Sequence, residues 1–229
     1  MEIYGLQKLT LLDYPNMIAC SIFLGGCPFR CPYCHNYELV DGSAKPIMTE
    51  EELFDFLQER KGMLDGVVIT GGEPCMHPDL PEFIIKIREL GYKIKLDTNG
   101  YYPEMLQKLI DEKLVDYIAM DIKNSPGFYP ETVGVEDVDY NRVKKSIDIL
   151  MNSGIDYEFR TTVVKEFMNQ FNIIIIGMLV KGAKRYFLQP FVDRESVPFS
   201  NLSAPDMDTL YYYRDILKEF VDHVEIRGV

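Results

Sequence analysis

The 229-residue chain has no tryptophan, only three histidines and five cysteines, and no long apolar run. Its most apolar stretches, such as Ile173–Ile176 and Val67–Ile69, fall far short of the roughly 20 residues a membrane span requires. The opening Met1-Glu2 is acidic and does not read as a signal peptide. These absences point to a cytoplasmic chain without a membrane partner. Positive charge is also scarce: 24 Lys and Arg face 36 Asp and Glu, a net charge of −12, and no stretch concentrates the cations. Such a surface repels phosphate backbones, so nucleic acid is not an expected partner. With 47% apolar and 26% charged residues the chain is compositionally an ordinary globular one. It is long enough for one α/β barrel without a second core.

The five cysteines stand at positions 20, 27, 31, 34 and 75. An odd number in a chain too large to need stapling disfavours a disulfide scaffold. Three are packed into Cys27-Pro28-Phe29-Arg30-Cys31-Pro32-Tyr33-Cys34, a C-x3-C-x2-C spacing that reads as a metal site. A structural zinc site wants four closed ligands, and an electron-transfer cluster normally takes four cysteines. Three leave one iron of a [4Fe–4S] cube open. The competing reading is Cys3His zinc completed by His35, although a ligand directly after Cys34 is awkwardly placed to close a tetrahedron. Cys20, in the apolar run Ile18–Leu24, reads as a core residue. Cys75, after the Gly71-Gly72-Glu73-Pro74 turn, reads as packing at a helix entrance.

Short apolar runs alternate with amphipathic segments along the chain. Expected strands are Ile18–Leu24, Gly66–Thr70, Lys93–Thr98, Tyr117–Ile122, Tyr157–Val163 and Tyr186–Gln189. Thr49-x-x-Glu52 and Asp79-x-x-Glu82 read as capping boxes that open helices. Further helices fit Pro103–Lys113, Tyr140–Ser153, Asn169–Lys181 and Pro205–Val221. Six β-α repeats predict a parallel sheet with right-handed crossovers, wound open or curled toward a barrel. In a barrel the polar strand ends converge on one mouth: Gly25–Cys34, Gly71–Pro74, Asp97–Gly100, Asp121–Asn124, Arg160–Thr162 and Gln189–Pro190. The irregular stretch Asn124–Asp139 exceeds the usual loop length and reads as a lid or partner-contacting segment.

The knot, the Gly-Gly-Glu-Pro turn and the strand ends together resemble the radical S-adenosylmethionine superfamily. Within it, Cys34-His35-Asn36, Asp97-Thr98-Asn99-Gly100, Met120-Asp121-Ile122-Lys123 and Val133-Gly134-Val135 are similar to the glycyl-radical-enzyme activases. The opening Gly5-Leu6-Gln7-Lys8-Leu9-Thr10-Leu11-Leu12-Asp13-Tyr14-Pro15 is most similar to activases serving anaerobic ribonucleoside-triphosphate reductase. The resemblance implies an α/β chain folded as a partial (β/α)6 barrel, a single domain over 1–229 with residues 1–16 as an N-terminal extension and 17–229 as the barrel.

It also implies site residues. Cys27, Cys31 and Cys34 would bind three irons of a [4Fe–4S] cluster, and the open iron would take the amino and carboxylate groups of S-adenosylmethionine. Tyr33 would lie against the adenine, with Asn36 in polar contact nearby. Gly71 and Gly72 would let the backbone approach the ligand, and Glu73 would offer a carboxylate to its ammonium group. Asp97 and Asp121, with the backbone at Thr98 and Ala119, would hold a monovalent cation. Lys123 and Arg160 would meet the methionine carboxylate or the ribose, or else form salt bridges to Asp97 or Asp121.

Two departures from the family pattern stand out. Asn16 replaces a common Gly after Asp-Tyr-Pro, and Asn also tolerates left-handed backbone angles. Formate-lyase activases carry a His after a Pro-Tyr pair on the last strand, where this chain reads Pro190-Phe191-Val192. The implied activity is generation of a glycyl radical on a partner, anaerobic ribonucleotide reductase before a formate-lyase-type enzyme. The implied reductant is flavodoxin or ferredoxin, since cleaving a sulfonium calls for the low end of the cluster potential range. A radical enzyme acting on a small molecule and a zinc-binding regulator remain as other classes.

Overall fold

The computed structural model describes residues 1–228; Val229, the last residue of the expected domain, lies outside the described residues. Among the described residues eight strands form one sheet in sequence order. They are β1 (Gly5–Thr10), β2 (Ala19–Leu24), β3 (Gly66–Gly71), β4 (Lys93–Thr98), β5 (Tyr117–Asp121), β6 (Asp156–Val163), β7 (Arg185–Pro190) and β8 (His223–Ile226). β1 pairs antiparallel with β2, and every later pairing is parallel. Among the described residues the sheet ends at β1 and β8, so the barrel is open along one side.

The six expected strands are present, each within one residue of its expected ends. β1 and β8 were not expected. β1 lies in the N-terminal extension and is largely exposed, and only Val224 of β8 is buried, between exposed His223 and Glu225. Without a buried face, neither shows the apolar alternation that marks a strand.

Among the described residues eight α-helices connect or flank the strands: α1 (Tyr37–Asp41), α2 (Glu50–Glu59), α3 (Leu80–Glu89), α4 (Pro103–Asp111), α5 (Tyr129–Val133), α6 (Tyr140–Asn152), α7 (Gln170–Leu179) and α8 (Met207–Leu217). The reciprocal capping box of Thr49 and Glu52 opens α2 as expected. Asp79 makes no such cap. Its backbone is not extended, Pro81 supplies no N–H in the first turn, and the carboxylate lies 3.7 Å from the Met1 amine instead. Asn16 has a φ of 61°, the left-handed angle its residue type tolerates.

Alternation along the strands sorts the side chains onto two faces. Outward, Ile22, Leu24, Val67, Ile69, Ile94, Leu96, Ile118 and Phe159 pack against helix residues such as Phe83, Ile84, Ile87 and Leu106 in one core. Each such side chain contributes about 1.5–3 kcal/mol on burial. Cys20 is fully buried on this face, the core role its apolar run implied. Inward, the strands carry Ser21, Thr70, Lys95, Asp97, Asp121, Glu158 and Arg160. Tyr14, Ala19, Val68 and Tyr117 form a small apolar cluster deep in this interior. Beside it Arg227 makes two hydrogen bonds to buried Glu158, at 2.7 and 3.0 Å. Polar groups thus accumulate toward the carboxyl ends of the strands, where the cavity lies.

Part of the stretch 124–139 is packed into the fold, while residues such as Phe128 remain exposed. Asn124, Ser125, Tyr129, Thr132 and Val133 are buried, and residues 129–133 form α5. The Asn124 amide donates to Thr132 Oγ1 and to the Phe167 carbonyl, both at 2.8 Å. The Val133 carbonyl accepts from the Arg30 amide at 2.7 Å, so this segment braces the cysteine loop.

Candidate functional site

A cavity of about 420 Å³ opens at the carboxyl ends of the strands. Cys27, Cys31, Tyr33, Cys34, Asn36, Gly71, Gly72, Asp97, Thr98, Asp121, Lys123 and Arg160 all line it, as their sequence positions led us to expect, and Glu73 does not.

The cysteine loop leaves β2 through Gly25 and Gly26 and is tied down from three sides. The Gly26 amide donates to the Leu39 carbonyl at 2.7 Å, Arg30 to Val133, and the Glu73 amide to the Gly26 carbonyl at 2.8 Å. The last bond explains the paired glycines. A Cβ on Gly72 would overlap the Gly26 carbonyl oxygen, and Gly71 has a φ of 116° with the Leu24 backbone where its Cβ would sit. Their first use is to let β3 pass against the cysteine loop. The Gly71 carbonyl then accepts the Asn36 side-chain amide at 3.1 Å.

Burial pushes the Cys27 thiol up to about 12 and Cys31 to about 11, and raises Cys34 as well, with Lys123 opposing the shift at all three. In the metal-free chain these groups are therefore thiols, and a metal must displace their protons on binding. Among the described residues no three His, Cys, Asp or Glu side chains draw together closely enough to grip a single metal ion. His35 turns one ring nitrogen to the Val192 carbonyl at 2.6 Å, and its ring stacks on Phe191. The fourth zinc ligand of the competing reading is thus engaged elsewhere. Tyr33 is 5% exposed, packs against Phe167 and has no partner for its hydroxyl. A buried orphan hydroxyl on the wall of a cavity fits a ligand with polar atoms.

Glu73 departs from its expected role. It is fully buried, with Oε1 accepting from the Cys75 amide (2.9 Å) and Thr98 Oγ1 (2.7 Å) and Oε2 from the Asn99 amide (2.6 Å). All three donors are protein groups, so the carboxylate ties the end of β3 to the end of β4 and does not face a ligand's ammonium group. Burial raises its pKa against the pull of these donors. Cys75 is buried in the core and does not line the cavity.

The two carboxylates of the expected cation site, Asp97 and Asp121, are paired with side-chain cations. Asp121 and Arg160 are register partners on β5 and β6, and Arg160 Nε donates to Asp121 Oδ1 at 2.9 Å. Lys123 Nζ donates to Asp121 Oδ2 at 3.0 Å, Arg160 reaches Asp97 Oδ2 at 3.4 Å, and Lys95 Nζ bonds to Asp97 Oδ1. Side-chain cations hold the carboxylate oxygens that were expected to hold a metal cation. Burial alone would raise the Asp121 carboxyl, but Arg160 and Lys123 outweigh it and hold it well below the usual carboxylate range. The salt-bridge alternative for Lys123 and Arg160 is the one observed, and each cation keeps further N–H donors.

Several lining residues were not named from the sequence as site residues, among them Asp13, Asn99 and Arg194. Asp13 accepts from Ser21 Oγ at 2.7 Å, so the N-terminal extension contributes to the cavity wall. Lys95 was missed too, though its place two residues before Asp97 on one strand puts both on the same face.

The Radical SAM superfamily profile matches residues 21–172, more than half of the chain. A protein of Methanocaldococcus jannaschii, provisionally named a glycyl-radical enzyme activating enzyme, is 36% identical over 98% of this chain and 95% of its own length. The pyruvate formate-lyase-activating enzyme of Clostridium pasteurianum is 33% identical over 54% of this chain and 52% of its own. Among solved structures, Streptococcus suis SuiB bound to S-adenosylmethionine superposes with a TM-score of 0.68 at 16% identity, covering 90% of this chain and 51% of that one. At that identity the likeness concerns the fold. Among the described residues no helix is long and apolar enough to cross a membrane.

Proposed function

The chain belongs to the radical SAM superfamily, and from that premise we propose that it activates a glycyl-radical enzyme. The superfamily uses a [4Fe–4S] cluster and S-adenosylmethionine, and the donor set of the cavity fits both. Three cysteines on one loop, Cys31 buried and Cys27 and Cys34 half-buried, leave a four-iron cube one open position. Lys123 and Arg160 supply donors for a carboxylate, and Tyr33 and Asn36 supply the wall for a nucleoside. Held by Cys27, Cys31 and Cys34, a reduced cluster would supply one electron for reductive cleavage of the sulfonium C5′–S bond, with methionine as leaving group, and so the chemistry for hydrogen-atom abstraction from a partner glycine. The protein's part is to hold these groups at the carboxyl ends of the strands, to fix Lys123 and Arg160 through Asp121 and Asp97, and to limit water inside a half-closed barrel.

The observation that carries this reading is the 36% identity that runs over 98% of the chain to the M. jannaschii protein. We assign the partner as anaerobic ribonucleotide reductase, on the opening motif through Asp13-Tyr14-Pro15, with flavodoxin or ferredoxin as electron donor. The lack of a His at Pro190-Phe191-Val192 argues against a formate-lyase-type partner. The test is anaerobic incubation of the reconstituted protein with the candidate reductase, S-adenosylmethionine and dithionite. A glycine-centred doublet by electron paramagnetic resonance is expected. Cofactor cleavage without a doublet on either the reductase or a formate lyase would replace the activase by a small-molecule radical enzyme.

A further inference from the structure

We propose that Asn99 sets how readily the cluster accepts its electron, by donating a side-chain hydrogen bond to the sulfur of Cys27. The inference rests on the reading of Cys27, Cys31 and Cys34 as cluster ligands.

Asn99 directly follows β4 and is 5% exposed. Its main chain and side chain are both held. The backbone amide donates to Glu73 Oε2 at 2.6 Å, and the side-chain Oδ1 accepts from the Tyr101 amide at 2.9 Å. With Oδ1 engaged by an N–H donor, the orientation of the side-chain amide follows, because its nitrogen must face the other way. There it meets Cys27 Sγ at 3.6 Å, within reach of an N–H···S bond. The Phe29 amide meets the same sulfur at 3.4 Å. Glu73, which the cavity geometry releases from ligand binding, thus has a second role, because it fixes the residue that faces the cluster-binding sulfur. Asn99 acts through Cys27 and is a positioning residue.

The physical consequence is a change in potential. Negative charge on the thiolate sulfurs of an iron–sulfur cluster grows on reduction, so a fixed N–H donor stabilises the reduced form more than the oxidised one. Hydrogen bonds to sulfur are among the determinants that spread cluster potentials over about 1 V. Removing the donor should make the cluster harder to reduce. Replacing it with an oxygen acceptor should do so more strongly.

The experiment uses the full chain, reconstituted anaerobically, as wild type, Asn99→Leu and Asn99→Asp. Asn99→Asp retains an oxygen for the Tyr101 amide and so preserves the turn if the leucine variant fails to fold. The readout is a potentiometric titration followed by electron paramagnetic resonance, without S-adenosylmethionine and without partner enzyme. Asn99→Leu should lower the reduced-to-oxidised ratio at a fixed poise about tenfold, a midpoint shift of about 59 mV for a one-electron couple. Asn99→Asp should shift it further in the same direction. Variants with full iron and sulfide content and a wild-type midpoint would overturn the proposal while leaving the cluster reading intact. Wild-type protein that forms no four-iron cluster would overturn the cluster reading itself.

Discussion

Asp121→Asn tests the charge cluster on which the cavity is built. Three cations, Lys95, Lys123 and Arg160, share two carboxylates, Asp97 and Asp121. The wild-type cluster carries one net positive charge, and the variant carries two. Asp121 holds Arg160 and Lys123 at once, so its neutralisation leaves two neighbouring cations facing an amide. Breaking a buried pair by removing one partner costs about 3–5 kcal/mol. Asp121 is 28% exposed, and an asparagine oxygen still accepts one hydrogen bond, which lowers the expectation to about 2–3 kcal/mol. Urea denaturation should show this as a lower midpoint at unchanged m. Adding Lys123→Met to Asp121→Asn restores the net charge and should recover about 1 kcal/mol, a coupling that a double-mutant cycle measures. A single variant within about 0.5 kcal/mol of wild type would refute the idea that this network holds the barrel mouth together. The pH dependence has a defined sign. The folded carboxyl lies below its unfolded value of about 3.9, so its contribution is present above that value and is lost as pH falls further. Wild type should therefore lose stability below about pH 4 more steeply than Asp121→Asn.

Gly72→Ala drives a methyl group into the Gly26 carbonyl, so it should cost about 1–3 kcal/mol or more and reduce iron incorporation, read from thermal melts and iron analysis. Cys31→Ala should abolish assembly of the four-iron cluster, whereas Cys20→Ala should leave it intact because Cys20 lies on the opposite face of the sheet; equal iron content in the two variants would count against the ligand assignment. Lys123→Ala should weaken S-adenosylmethionine binding about tenfold or more, the worth of one hydrogen bond to a charged group, with the cluster absorbance unchanged. An unaltered affinity by titration would remove Lys123 from the binding site.

Where a strand is buried on both sides, its apolar run carried enough information to locate it within a residue, as at Gly66–Gly71 and Lys93–Thr98. Edge strands carried little, and β1 and β8 were invisible for that reason. The membership of the site was legible because the carboxyl ends of parallel strands must meet at one mouth, a consequence of topology that needs no side-chain detail. The orientation of individual side chains was not. Whether Glu73 faces a ligand or three backbone and side-chain donors depends on how Thr98 and Asn99 approach from the next strand, and residues about 25 apart in sequence leave no local trace of that. Asp97 and Asp121 pose the same problem. The sequence puts carboxylates on adjacent strands, but only the register, with Arg160 directly opposite Asp121 and Lys95 two residues from Asp97, decides that side-chain cations occupy them.

The packing of 124–139 bears on how the cavity is reached. A lid would have placed the gate above α5, yet Val133 holds the Arg30 amide and Asn124 bridges to Phe167, so moving this segment would unseat the cysteine loop itself. A mobile gate and a brace for the cluster ligands are incompatible roles for one stretch of chain. Access then falls to the side of the barrel where β1 and β8 remain unpaired with each other. The N-terminal extension borders that side, since β1 forms its edge and Asp13 reaches the cavity wall through Ser21. The N-terminal segment thus lies at the open edge of the sheet and also contributes Asp13 to the cavity wall.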